Sequence, residues 1–240
     1  VMFFFFVQVG LWGAYIAKRN KVPLIEQYST DLVEYVGKYP GVMAGVLALS
    51  MSAPFVLKMK LADIASITKK LLSVKRPKSI TWSQQTVQKV LTTLHNHTDL
   101  VVAVSEKTAK QLKHDGVTKR VVTIPTGVNR LPSSRTSGLA FRKKWHVAKD
   151  ETIVLYAGRL GEEKNLDMLI DAFAITARVH KNCKLLFVGD FGYREKLEQR
   201  VRRKKLQKRV VFTGRYPRTQ LGSIYATADA FVFPSLTDTQ

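Results

Sequence analysis

Apolar runs of four to seven residues alternate with amphipathic stretches along this chain, a rhythm that predicts βα units around parallel sheets. In the first part, 23–28 (PLIEQY), 100–104 (LVVAV) and 121–124 (VVTI) read as strands. Between them, 83–97 places Val87, Val90, Leu91 and Leu94 on one helical face, and 105–115 opens with Ser105 in the N-cap position. The opening stretch, Val1 to Ala17, is apolar apart from Gln8 and is followed by Lys18, Arg19 and Lys21. It falls short of the ~20 residues that span a bilayer and lacks a basic leader or a small-residue cleavage site. We therefore read a buried strand at 2–8, a turn at Gly10 and a helix from about 11 to 20.

A stretch rich in Pro, Ser and Gly, from Pro125 to Gly138, interrupts the series and predicts a hinge. Beyond it the rhythm resumes, with strands at 152–157, 184–188, 209–213 and 230–233 and helices at 165–179, 193–205 and near 218–227. The expected architecture is α/β, with two Rossmann-like domains built on parallel sheets. Residues 1–129 form the first domain, 130–150 the linker and the first helix of the second, and 151–240 the second domain proper.

Composition narrows the class. The 240 residues include 45% hydrophobic and 24% charged side chains, which is globular usage and excludes a disordered, collagenous or multi-span membrane chain. The lone Cys183 excludes an internal disulfide and reads as a buried thiol. The formal net charge is +21, and it is uneven: residues 1–150 carry 23 basic and 8 acidic side chains, whereas 151–240 carry 16 and 10. Such a potential favours nucleic acid, phosphorylated ligands or an anionic bilayer surface. No helix-turn-helix, zinc-finger, KH or RRM signature is present, so nucleic acid is not an expected partner.

Part of the excess lies in 54–78, where Lys58, Lys60, Lys69, Lys70, Lys75, Arg76 and Lys78 face a single acid, Asp63. Apolar residues including Phe55, Leu61, Ile64 and Leu71 alternate with them. Two readings stand side by side: adsorption to an anionic leaflet through those cations, or a helix packed on its own domain.

The most informative local motif is YAGRLGEEKN at 156–165, a strand running into a Gly-containing turn that opens a helix, with Arg159 and Lys164 five residues apart. Ligands of α/β sheets bind at the carboxyl ends of strands, where helix N-termini offer N–H groups to anions. Two cations there suit a diphosphate. The motif lacks the Lys-Ser/Thr of a Walker loop and the three-glycine dinucleotide fingerprint.

The order of the following motifs carries a resemblance. Gly158-Arg159, Glu163-Lys164-Asn165, Leu186-Phe187-Val188-Gly189-Asp190, Phe212-Thr213-Gly214, Ala228-Asp229 and Phe233-Pro234-Ser235 follow one another. The series resembles the C-terminal, nucleotide-sugar-binding half of GT-B glycosyltransferases of family 4. The resemblance implies that Gly158, Arg159 and Lys164 hold the donor diphosphate and that Gly214, Arg215 and Tyr216 line the base pocket. It also implies that Asp238 stands at the first of two Glu positions separated by seven residues, with the second falling past Gln240. Asp238 would then contact donor sugar hydroxyls in a catalytic role, and Thr239 would offer its backbone to the donor.

The first part resembles lipid-modifying members of the same family. Diacylglycerol glucosyltransferases read Pro-Leu-Ile-His-Thr-Tyr-His-Thr where this chain has Pro23-Leu24-Ile25-Glu26-Gln27-Tyr28-Ser29-Thr30. Glu26 and Ser29 thus replace both histidines. Ser29 occupies the catalytic position but cannot handle a proton near neutral pH as His does. His95, His97 and His114 are expected on helix surfaces. Ser105-Glu106-Lys107 and Ile124 to Val128 match the family's interdomain region.

The resemblance therefore implies a retaining hexosyltransferase that moves glucose from UDP-glucose to a diacylglycerol-type lipid, peripheral at the cytoplasmic face of an anionic membrane. It implies no cofactor and no metal, and no Asp-x-Asp motif is present. The chain reads as truncated at both ends. Two alternatives stay open: a cell-wall or capsule polysaccharide precursor as acceptor, and an inactive sugar-nucleotide-binding homologue, the latter motivated by Ser29 and Asp238.

Overall fold

The computed structural model describes residues 2–37, 39–57 and 82–235. The six basic residues proposed for membrane contact, Lys58, Lys60, Lys69, Lys70, Lys75 and Arg76, lie outside the described residues, as do Asp238 and Thr239. The chain divides into two compact units, one reaching to Gly127 and one starting at Val128.

The first unit runs α1 (Met2–Asn20), β1 (Ile25–Tyr28), α2 (Leu32–Val36), α3 (Pro40–Val56), α4 (Trp82–His95), β2 (Leu100–Ala103), α5 (Glu106–His114) and β3 (Val121–Thr123). Its sheet is parallel in the order β1-β2-β3, with Ile25 opposite Leu100 and Val101 opposite Val121. Val101 and Ala103 pack under Ala109 and Leu112 of α5. The stripe read on α4 is buried as its spacing requires: Val87, Val90 and Leu91 meet Tyr35 and Val36 of α2 and Val42 and Val46 of α3. Ser105 caps α5, its Oγ accepting the Thr108 N–H at 3.2 Å.

Two features of this unit differ from the pattern. Residues 2–8 are not a strand; α1 is one continuous helix through Gly10 and Gly13. A run of Phe and Val satisfies either period, and a helix closes its backbone hydrogen bonds within the segment, whereas a strand must find an edge to pair with. Two glycines cost a helix about 1 kcal/mol each, too little to break it. The second difference is α3, absent from our reading because it is apolar nearly all round and shows no amphipathic stripe. No helix among the described residues is long and apolar enough to cross a membrane.

The second unit runs α6 (Arg135–Lys144), β4 (Thr152–Ala157), α7 (Leu166–Val179), β5 (Cys183–Val188), α8 (Arg194–Arg203), β6 (Val210–Gly214), α9 (Arg218–Tyr225) and β7 (Ala230–Phe231). All its strands are parallel, in the order β6-β5-β4-β7. Helices cover both faces, so β4 and β5 are apolar on both sides. Ile153, Leu155, Ala157, Leu186 and Val188 meet Phe141 of α6 and Ile224 of α9. Tyr156, Cys183, Leu185 and Phe187 meet Leu169, Ile170 and Phe173 of α7 and Leu197 and Val201 of α8. Cys183 is buried, as expected of a structural thiol. Arg200 joins α8 to α7 through Asp167 at 3.3 Å and Asp171 at 2.5 Å.

Candidate functional site

A parallel sheet opens the carboxyl ends of all its strands on one edge. In the second unit this edge collects Gly158 and Arg159 after β4, Gly189 and Asp190 after β5, Arg215 and Tyr216 after β6, and Phe233 and Ser235 after β7. Gly189 has to be a glycine: its φ is +143°, and a Cβ there would collide with the carbonyl oxygen of Gly158. That close approach lets the turns after β4 and β5 lie side by side. Gly214, with φ at +76°, turns the chain out of β6.

Arg159 is held on three sides. Its Nη2 pairs with Oε1 of Glu163 at 2.9 Å, and its guanidinium lies 4.9 Å from the centroid of the Phe191 ring. Its carbonyl oxygen accepts the Tyr156 hydroxyl at 2.8 Å. Burial, followed by the negative charge of Glu163, raises the pKa of that phenol, so it remains a donor. The Tyr156 ring stacks on Phe233 at 5.7 Å. Lys164 ends a short 3-10 turn, Glu162–Lys164, that leads through Asn165 into α7. Its Nζ donates to Ser235 Oγ at 3.2 Å and lies 5.4 Å from the Phe233 ring centroid. The loops after β4 and β7 are thereby tied together by the residues that carry the charge.

The base-pocket candidates are placed differently from one another. Arg215 is exposed. The Tyr216 ring is edge-on to Phe141 at 5.5 Å, its hydroxyl accepts Trp145 Nε1–H at 2.8 Å, and Lys144 Nζ lies 5.4 Å from its centroid. The structure therefore draws Tyr216 towards α6, while Gly158, Arg159, Lys164 and Gly214 stay on the strand ends. A cavity of about 510 Å³ in the same unit, lined by Ser134, Arg135, Arg142 and Ser223, lies between α6 and α9 and not on the carboxyl edge.

In the first unit Ser29 is exposed, directly after β1. The residue before it, Tyr28, turns to the other face of the sheet, where its ring is edge-on to His95 at 5.4 Å. His95 is not on a helix surface, as its sequence position had suggested. It is 2% exposed at the end of α4, and its Nδ1 lies 2.8 Å from Oε2 of Glu26. The reason is long-range: Glu26 reaches it across 69 residues of chain, and no local pattern reports such a partner. His97 Nδ1 lies 2.8 Å from the Thr93 carbonyl, and His114 is solvent-exposed. The Ser105 turn and the loop after β3 enclose a cavity of about 500 Å³, lined by Val104, Ser105, Glu106, Thr123, Pro125 and Thr126.

Glu163, Phe191 and Ser235 were missed as site residues. A Glu beside a second Glu in a turn reads as surface, and only the fold brings residues 191 and 235 to Arg159 and Lys164.

Two units on parallel sheets, the second with cations gathered at its carboxyl edge, are the architecture of the GT-B class of glycosyltransferases. The chain superposes on a crystal structure of Anabaena HepE with UDP and glucose at a TM-score of 0.65 and 18% identity, covering 97% of this chain and 52% of that one. A second HepE structure, with UDP-glucose, matches at a TM-score of 0.56 and 25% identity over 64% of this chain and 43% of that one. Residues 8–130 match the profile of Glycosyltransferase Family 4, and residues 139–239 that of Glycosyl transferases group 1. The chain belongs to glycosyltransferase family 4. Among its curated relatives are alpha-monoglucosyldiacylglycerol synthases of Streptococcus pneumoniae, 25% identical over 97% of this chain, and of Acholeplasma laidlawii, 30% identical over 54%. The chain spans 45% and 33% of the lengths of these two relatives.

Proposed function

We propose that this chain is part of a hexosyltransferase that takes glucose from UDP-glucose and gives it to a diacylglycerol-type lipid with retention of configuration, working without a metal at the surface of an anionic membrane. The observation that carries the donor half is the pair Arg159 and Lys164, each tethered beside the strand ends of the second unit. The UDP-glucose complex of HepE supports the nucleotide, and the names of the two synthases support the lipid.

In this reading Arg159 and Lys164 bind the diphosphate and neutralise the charge that builds on it as the C1–O bond of the sugar breaks. The start of α7 adds its dipole behind them. Asp238 and the Thr239 backbone would hold the sugar. Ser29 cannot act as a base, so the proton of the acceptor hydroxyl passes to the departing phosphate oxygen while the new C1–O bond forms on the same face. The nucleobase would rest near Gly214, Arg215 and Tyr216. The basic segment containing Lys58, Lys60, Lys69, Lys70, Lys75 and Arg76 would hold the protein on anionic lipid, at about 1 kcal/mol per cation near the surface.

The test is incubation with radiolabelled UDP-glucose and diacylglycerol in vesicles of anionic and of neutral lipid. Label should enter the lipid fraction, and faster on anionic vesicles. Ser29 and Asp238, each at an altered position, favour a second reading, a homologue that binds sugar nucleotide without transfer. UDP binding with no transfer across several sugars and lipid acceptors would establish that reading instead. In that case Ser29→His should restore turnover.

A further inference from the structure

We propose that Glu163 is a positioning residue for the donor diphosphate, acting through Arg159 and not by touching the ligand; the inference rests on the donor-site reading above. Among the described residues, Glu163 is the carboxylate with 0% exposure. A buried carboxylate is costly to keep unless a cation and hydrogen bonds compensate it, so its presence ties it to a partner. One such partner is Arg159, 2.9 Å away and 34% exposed in its side chain. The 3-10 turn over Glu162–Lys164 brings position 163 back under position 159.

The carboxylate is fixed in turn. A Cβ at Gly161 would collide with both carboxylate oxygens and the carboxyl carbon of Glu163, so the carboxyl group fills the space that the absent side chain leaves. Arg159 is then clamped by Glu163 at one edge of its guanidinium, by the Phe191 ring at 4.9 Å and by the Tyr156 hydroxyl on its backbone carbonyl. An arginine has five N–H donors in a rigid fork, and fixing one of them orients the rest. The part of the guanidinium that remains exposed is thereby aimed before any ligand arrives.

This role has a sign that separates it from simple electrostatics. Counting charges alone, a carboxylate beside Arg159 repels a diphosphate, and removing it should tighten UDP binding. If Glu163 aims the guanidinium, removing its charge should weaken binding. A merely structural role would weaken binding whether or not Arg159 is present.

The experiment measures UDP affinity by calorimetry in the unmodified protein, Glu163→Gln, Arg159→Ala and the double variant. Glu163→Gln should weaken UDP binding about fivefold or more when Arg159 is present, the scale of one charge-assisted contact partly lost, and by less than about twofold in the Arg159→Ala background. Tighter binding, no change, or equal weakening in both backgrounds overturns the proposal. Should Glu163→Gln fail to fold, Glu163→Asp, which keeps the charge but withdraws it by one methylene, carries the same expectations. A second readout needs no ligand: the Arg159 Nη–H resonance, assigned by its loss in Arg159→Lys, should be observable in the unmodified protein, where Glu163 accepts from Nη2, and broaden with solvent exchange in Glu163→Gln. An unmodified protein that does not bind UDP overturns the donor reading. The resonance then decides whether Glu163 holds Arg159, and an unchanged signal in Glu163→Gln overturns that hold.

Discussion

At the carboxyl edge of the second unit's sheet, Arg159 and Lys164 are gripped by Glu163 and Ser235 at 2.9 and 3.2 Å, and aromatic rings flank both. At the edge of the first unit's sheet Ser29 is exposed, while the chemistry of β1 turns the other way: Glu26 and Tyr28 face His95 on the inner side. One edge presents charge whose position is settled in advance; in the other, β1 spends Glu26 on an internal pair with His95. A cation already fixed loses little conformational entropy when an anion arrives, and it stabilises charge without reorganising. The contrast is one of preorganised cations at the carboxyl edge of the second unit's sheet against an internal Glu26–His95 pair in the first.

The largest effect tests whether the second sheet is the rigid platform this contrast needs. Phe187 is fully buried and stacks on Phe212 at 4.9 Å. Phe187→Ala should cost about 3–5 kcal/mol in urea unfolding, as large-to-small core changes do. A cost below about 1 kcal/mol would mean the sheet is not what holds the site.

Next comes the edge itself. Arg159→Ala and Lys164→Ala should each lose roughly 1.5–3 kcal/mol of UDP binding, tenfold or more in calorimetric affinity. Ser29→Ala should leave that affinity unchanged. If Ser29→Ala weakens UDP as much as Arg159→Ala does, the contrast between the two edges collapses.

Smaller effects sharpen the inner face of the first unit. His95→Ala strands Glu26 and removes a ring from Tyr28, so thermal unfolding should show a loss of about 1–3 kcal/mol with UDP affinity intact. A fall in UDP affinity would tie His95 to donor binding and undo the contrast between the two sheets.

The smallest expected effect is a pH dependence. Hydrogen bonding to Arg200, then to Lys204, holds the Asp171 carboxyl below its ordinary value near 3.8. Its contribution is therefore fully present above that ordinary value and is lost as the pH falls through the lowered, folded-state value. The pair is partly exposed, and screening keeps the contribution below about 1 kcal/mol. Acid unfolding of Asp171→Asn should be shifted less than that of the parent chain over this window, and an identical acid limb in both would remove the pair from the stability account.

How much of this was legible in the sequence depended on range. The strand read at 152–157 is β4 to the residue, because a strand covered on both faces announces itself as an unbroken apolar run. The stripe on α4 and the Ser105 cap were legible for the same local reason. The Phe run of α1 was not, since a short apolar run fits either period, and α3 was hidden by its uniform apolarity. In the candidate site, Arg159 and Lys164 lay in one motif, while their holders came from the turn and from the loops after β5 and β7. Nothing in the spacing of Glu26 and His95 announced a contact, because the sheet and α4 had to form first.

The account stands or falls on the diphosphate. Calorimetric titration of UDP and of uridine into the parent chain and into the Arg159→Ala/Lys164→Ala double variant isolates the phosphate contribution from that of the base. The parent should bind UDP at least about tenfold more tightly than uridine, and the double variant should bind the two alike. Equal affinities in the parent, or a preference for UDP that survives the loss of both cations, would contradict the account.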